Sequence, residues 1–139
     1  MPVAAQKLSL SSTSGHPGDS VSVTLSMETS EQKPSILKWE IIFPAQLLEI
    51  DGGGAEIASV TRNLGKSLTC TLRQTYNYVC ILAGGQRSLA DGLLATFHFK
   101  IRVGARRGTS IVRIEHIEAV SSDVKSINLL GREGQVEIR

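Results

Sequence analysis

Ser20-Val21-Ser22-Val23-Thr24-Leu25-Ser26-Met27 alternates without a break, apolar at every odd position and hydroxylated at every even one. A strand turns successive side chains to opposite faces, so a period of two describes a strand with one buried and one wet face. The turn cluster Gly15-His16-Pro17-Gly18-Asp19 leads into it. The same alternation returns in Leu37-Lys38-Trp39-Glu40-Ile41-Ile42-Phe43, in Ala95 to Val103, and in Gln135-Val136-Glu137-Ile138-Arg139. Weaker strands are expected at Lys7 to Ser11, Glu56 to Thr61, Lys66 to Leu72, Tyr78 to Ala83 and Ser110 to Ala119. Turn residues separate them at Asp51-Gly52-Gly53-Gly54, Gly84-Gly85-Gln86-Arg87, Asp91-Gly92 and Gly104 to Gly108. Pro44 to Glu49 has room for one helical turn, and no stretch has the length of an ordinary amphipathic helix. The expectation is an all-β fold of eight or nine strands: a two-sheet antiparallel sandwich with jelly-roll topology.

Composition sets outer bounds. At 139 residues, with neither a repeat nor a linker, residues 1–139 are expected to form a single domain. Fifteen Lys and Arg against thirteen Asp and Glu give a net charge of +2, and only Arg106-Arg107 are adjacent, so no basic stripe points to nucleic acid. The apolar runs are far shorter than the roughly 20 residues that span a bilayer. Met1-Pro2-Val3-Ala4-Ala5-Gln6 has neither the basic start nor the apolar stretch of a secretion signal, so the expected address rests on the cysteines.

Cys70 and Cys80 flank a stretch that reads as strand, turn, strand. Symmetry about Thr75 would set Cys70 opposite Cys80, Leu72 opposite Tyr78 and Leu68 opposite Leu82. Directly opposed residues hold their Cβ atoms roughly 4.5–5.5 Å apart, near disulfide range. The register favours a disulfide over the alternative of two buried thiols in neighbouring strands. A bridge would place the domain in an oxidising, extracellular or cell-surface setting.

In their order along the chain these landmarks resemble a cohesin-type domain, a β-sandwich related in fold to carbohydrate-binding modules. The resemblance rests on the Pro17-Gly18-Asp19 turn before the alternating valines, and on Phe43-Pro44-Ala45-Gln46-Leu47-Leu48, similar to the family's aromatic–Asp–Pro–x–x–Leu–Leu segment. It continues through Gly65-Lys66-Ser67-Leu68 and Ile81-Leu82-Ala83-Gly84-Gly85 to Asp91-Gly92-Leu93-Leu94-Ala95-Thr96-Phe97-His98-Phe99 and the terminal Gly134 to Ile138. Three departures touch the recognition face. The Asp between the aromatic residue and Pro44 is missing. The outward positions of the preceding strand read Ile36, Lys38, Glu40 and Ile42. Ala83-Gly84-Gly85-Gln86 stands where acidic residues are common. The resemblance points to a non-cellulosomal, cohesin-like member.

That resemblance implies a non-catalytic module that needs no cofactor. Its partner would be a dockerin-like protein, with any calcium held by that partner. The expected partner-binding residues are Ile36, Lys38, Glu40 and Ile42, with Leu82 and Gly84, Gly85, Gln86, Arg87 beside them. Two isoleucines on a wet face read as part of a contact patch or as residues covered by a loop or by the N-terminal strand.

Other chemistries fare less well. His16, His98 and His116 have no second His or Cys at ligand spacing, so no metal site is expected. No strand–turn–helix elbow surrounds a serine. Asp51-Gly52-Gly53-Gly54 is not followed by a helix, so it reads as a flexible loop rather than a phosphate cradle. Asp19, Asp51, Asp91 and Asp123 form no dense calcium loop and are read as turn residues. Phe43, Phe97, Phe99 and Trp39 are in phase with the core, which leaves Tyr76-Asn77-Tyr78 at a hairpin tip. Tyr76 and Asn77 are therefore the carbohydrate-binding candidates of the alternative, a module that targets a polysaccharide. A structural spacer of a surface protein is the third reading.

Overall fold

The computed structural model describes residues 6–139; Met1 to Ala5, read above for a secretion signal, lie outside the described residues. Twelve strands and one short helix follow one another. They are β1 (Lys7–Leu10), β2 (Thr13–Gly15), β3 (Ser20–Glu28), β4 (Ile36–Ile42), β5 (Leu48–Ile57), α1 (Ser59–Asn63), β6 (Ser67–Arg73), β7 (Asn77–Ala83), β8 (Gly92–Ile101), β9 (Gly108–Val120), β10 (Ser126–Ile127), β11 (Leu130–Arg132) and β12 (Gly134–Ile138). Five form one sheet in the order β11-β1-β3-β8-β5. The other sheet runs β2-β12-β9-β4-β7-β6, with β10 paired to β9.

The expected sandwich is present, but the count of eight or nine strands is too low. The first strand breaks at Ser11-Ser12, so that β1 pairs with β3 in one sheet while β2 pairs with β12 in the other. Ser11 stabilises the crossing point: its N–H donates to Thr24 O at 2.9 Å and its Oγ accepts from Thr24 N at 2.8 Å. Gly134 passes against the Ser11 carbonyl, where any Cβ would collide with backbone. The short β10 and β11 lack the length over which an alternation can be recognised.

Period two translates directly into burial. Val21, Val23, Leu25 and Met27 of β3 are buried, as are Leu37, Trp39 and Ile41 of β4 and Phe97, Phe99 and Ile101 of β8. Trp39 stands edge-on to Phe97, ring centroids 6.3 Å apart, and Tyr78 meets the same Phe97 edge-on at 6.3 Å. Phe43 closes one end against Phe99 at 5.2 Å. Such edge-to-face contacts add to the burial of large apolar area that drives folding.

Three local expectations are corrected. Asp51-Gly52-Gly53-Gly54 is not a flexible loop; it is a bulged stretch of β5, where pairing to β8 slips between Ile50 and Ala55. Gly54, at φ 77°, lies under the Tyr78 hydroxyl, which leaves no space for a side chain. Glu56 to Thr61 does not continue as a strand. β5 ends at Ile57 and the chain turns through α1, with Thr61 buried, because it has to cross from β5 at the edge of one sheet to β6 at the edge of the other. The turn expected at Pro44 to Glu49 ends at Leu47; Leu47 and Leu48 both donate to Pro44 O at 3.0 Å before β5 begins.

The middle hairpin has the expected register. Cys70 pairs with Cys80, Leu72 with Tyr78 and Leu68 with Leu82, and Cys70 and Cys80 form a disulfide. Beside it Lys66 is buried, and its Nζ donates to Ser35 O at 2.9 Å and Ser35 Oγ at 3.2 Å, which ties the start of β6 to the residue before β4. Burial lowers the Lys66 pKa, because its charge is removed from water.

Replacing both cysteines by alanine is expected to cost about 2–3 kcal/mol, since the bridge restrains a short loop of the unfolded chain. Urea unfolding followed by circular dichroism measures it; an unchanged midpoint would show that the paired strands alone hold the hairpin.

Candidate functional site

The outer face of the larger sheet follows from its inner one. Because Trp39 and Ile41 point into the core, Ile36, Lys38, Glu40 and Ile42 point out. Because Cys80 and Leu82 point in, Asn77, Val79, Ile81 and Ala83 point out, and the ladder places Ile81 beside Lys38, Val79 beside Glu40 and Asn77 beside Ile42. On the far side β9 sets Val120 beside Ile36, Glu118 beside Lys38, Glu115 beside Glu40 and Arg113 beside Ile42. Ile36 and Ile81 are each 43% exposed. With Val79, Ala83, Ile42 and Val120 they form an apolar stripe across β9, β4 and β7. The N-terminal strand does not cover it: β1 lies in the other sheet and β2 pairs at the β12 edge.

The polar residues on this face are organised around Glu40. Its side chain is only 12% exposed. Asn77 Nδ2 donates to Glu40 Oε1 at 2.8 Å, and His116 Nδ1 lies 3.4 Å from the same oxygen. The Asn77 hydrogen bond holds the Glu40 carboxyl below its ordinary pKa of 4.5, with His116 and Arg73 adding to the effect against the cost of burial. His116 reaches this position through a bulge: between Lys38 and Glu40 the partner strand advances three residues, and His116 takes φ 52°. Lys38 lies 3.8 Å from Glu118. Lys38 and Glu40, in the middle of the face, thus have partners within it.

Of the other partner-binding candidates, Leu82 is fully buried against the core and is corrected to a core residue. Its neighbours Ile81 and Val79 present the surface instead. The signal was available, since an inward Cys80 forces both of them outward. Gly84 to Arg87 form the turn beyond β7, at the end of the face where Ile36 lies, with Gly84 packed on the backbone of Gly65 and Lys66.

Tyr76 is 43% exposed and lines a groove with Phe43 and Arg102, while the Asn77 amide is engaged by Glu40. Tyr78 is buried opposite Leu72. His98 does meet a serine: Ser22 Oγ lies 3.1 Å from its Nδ1, and Glu56 3.6 Å from its Nε2. This row lies on the outer face of the smaller sheet, where Ser22 and His98 are ladder neighbours and their backbone groups are spent on pairing. His16 lies in its turn beside Asp19. Among the described residues no group of three or more His, Cys, Asp or Glu is placed to hold a metal, and no helix is long and apolar enough to cross a membrane.

Because the lowered pKa of Glu40 adds stability above pH 4.5 that is lost as pH falls through the lowered value, Asn77→Ala should move that loss to higher pH. Carbon-detected NMR titration of Glu40 reads the shift; an unmoved midpoint would transfer the effect to His116 and Arg73.

No protein-family model matches the sequence, and no curated protein shows significant sequence similarity to it. Solved structures match it by fold. The third ScaC cohesin of Acetivibrio cellulolyticus, determined with the ScaB dockerin, superposes with a TM-score of 0.83 at 19% identity, covering 96% of this chain and 98% of its own. A non-cellulosomal cohesin from the hyperthermophilic archaeon Archaeoglobus fulgidus gives 0.81 at 17% identity over 98% and 92%. The cohesin module of a Clostridium perfringens family 33 glycoside hydrolase gives 0.81 at 7% identity over 97% of each chain. At such identities the likeness concerns the fold alone: the chain shares the two-sheet architecture of these cohesin modules.

Proposed function

We propose that the chain is a non-catalytic interaction module that binds a dockerin-like protein through the outer face of β9, β4, β7 and β6. The observation that carries this reading is the apolar stripe through Ile36 and Ile81 on the outer sheet face, with Lys38 and Glu40 beside it paired to Glu118 and His116. Such a face suits a partner with a few buried apolar anchors and a charged rim, since desolvated aliphatic contacts supply affinity while exposed ion pairs add little. Among the structural relatives, several were determined as complexes with dockerins, which supports the same kind of partner here. Calcium, where required, would belong to that partner. We read residues 1–139 as one such module with a jelly-roll course, in keeping with the pairing of β3 to β8 and β4 to β9 across long stretches of sequence. The Cys70–Cys80 bridge supports an extracellular or cell-surface location.

The test uses calcium-loaded dockerins of the kinds found in the related complexes, passed over the immobilised domain with and without chelator. Ile81→Asp and Ile36→Asp are each expected to weaken a retained dockerin by about tenfold or more, the usual cost of a buried anchor. Thr24→Asp, on the opposite sheet, should leave binding unchanged. Retention of none of the dockerins, or equal retention by the isoleucine variants, would remove the proposed face from consideration.

A further inference from the structure

We infer that one end of the sandwich is a binding site for an acidic polysaccharide, which meets the face proposed above only at Ile42 and Arg113. Three shallow grooves of about 410, 370 and 500 Å³ adjoin around the Pro44–Leu47 turn. Gln46 and Leu47 connect the first to its neighbours, and Phe43 and Pro44 are shared by the other two. Small-molecule sites are enclosed and mostly apolar, whereas a ring of connected open grooves suits an extended chain lying across the surface.

The charge of this end is one-sided. Arg106 and Arg107 line the first groove and Arg113 the second. Among the described residues none of the three has a carboxylate within ion-pair distance. The nearby acid Glu49 is held by Arg102 at 3.0 Å, and Arg102 is itself fixed by donating to Ala45 O at 2.6 Å. Three exposed guanidinium groups therefore face the grooves uncompensated, and their planar forks match carboxylate or sulfate geometry.

What lies between the arginines favours a sugar polymer over other polyanions. Tyr76 presents an exposed ring at the third groove, and sugar rings stack on such faces. Gln46, Thr75 and Thr109 add amide and hydroxyl groups to the walls, suited to bonding sugar hydroxyls. With a net charge of +2 the whole chain also lacks the basic surplus with which proteins neutralise a run of nucleic-acid phosphates.

The experiment measures binding of the folded domain to polygalacturonate (carboxylated) and heparin (sulfated) by calorimetry, in salt on the order of 0.1 M. Dextran, polyglutamate and duplex DNA serve as comparisons. One or both acidic glycans should bind, dextran should not, and polyglutamate and DNA should bind at least about tenfold more weakly. The double substitution Arg106→Gln with Arg107→Gln should reduce glycan affinity about tenfold, as should Arg113→Gln, which serves if the double variant does not fold. Tyr76→Ala, which leaves the charge unchanged, should reduce it several-fold. Failure of both glycans to bind would overturn the proposal. So would polyglutamate or DNA binding as tightly as the glycans, or full affinity in Tyr76→Ala, since each reduces the site to charge alone.

Discussion

The burial of Trp39 between the two sheets is the constraint on which the rest depends. It is fully buried, meets Phe97 edge-on, and lies on the central β4 of the larger sheet. A strand cannot slip by one residue without exchanging its faces. Placing this large ring inward therefore fixes Leu37 and Ile41 inward with it, and sends Ile36, Lys38, Glu40 and Ile42 to water. The composition of the outer face is thus a consequence of core packing, transmitted through a period of two.

The disulfide acts on the neighbouring hairpin in the same way. Cys70 and Cys80 are bonded on the inner side of β6 and β7, so the register of that pair is covalently fixed. Val79 and Ile81 are thereby held beside Glu40 and Lys38, and the apolar stripe becomes continuous across three strands. Lys66 adds a second fastening at the same end, through Ser35. Both fastenings restrain how β6, β7 and β4 lie against one another at this end of the face.

Polar placement on the face follows a different logic. Glu40 is nearly buried, and a buried carboxylate requires hydrogen bonds. Asn77 comes from the adjacent strand, and His116 is turned toward the carboxylate by the β9 bulge. Once these groups are engaged, the centre of the face offers aliphatic surface, and unpaired arginines collect at the end formed by the turns. Two surfaces of unlike chemistry result, one of them apolar and central, the other basic and grooved.

The alternation through Ser20 to Met27, Leu37 to Phe43 and Ala95 to Val103 by itself determined the two-sheet β architecture, the inward aromatic residues and the outward direction of Ile36, Lys38, Glu40 and Ile42. Spacing around Thr75 determined the register of the cysteine hairpin, because period two and a tight turn leave few alternatives. Only the tertiary structure decided what long-range pairing controls. The break at Ser11-Ser12 depends on both sheets competing for the first strand. The bulge at Asp51 to Gly54 depends on Tyr78 from a distant hairpin. The His116 bulge depends on β9 pairing with β4, and the arginine-lined grooves depend on three turns converging at one end. Local sequence carries the phase of a strand; which strand lies beside it, and what their ends enclose, is set by contacts between residues far apart in the chain.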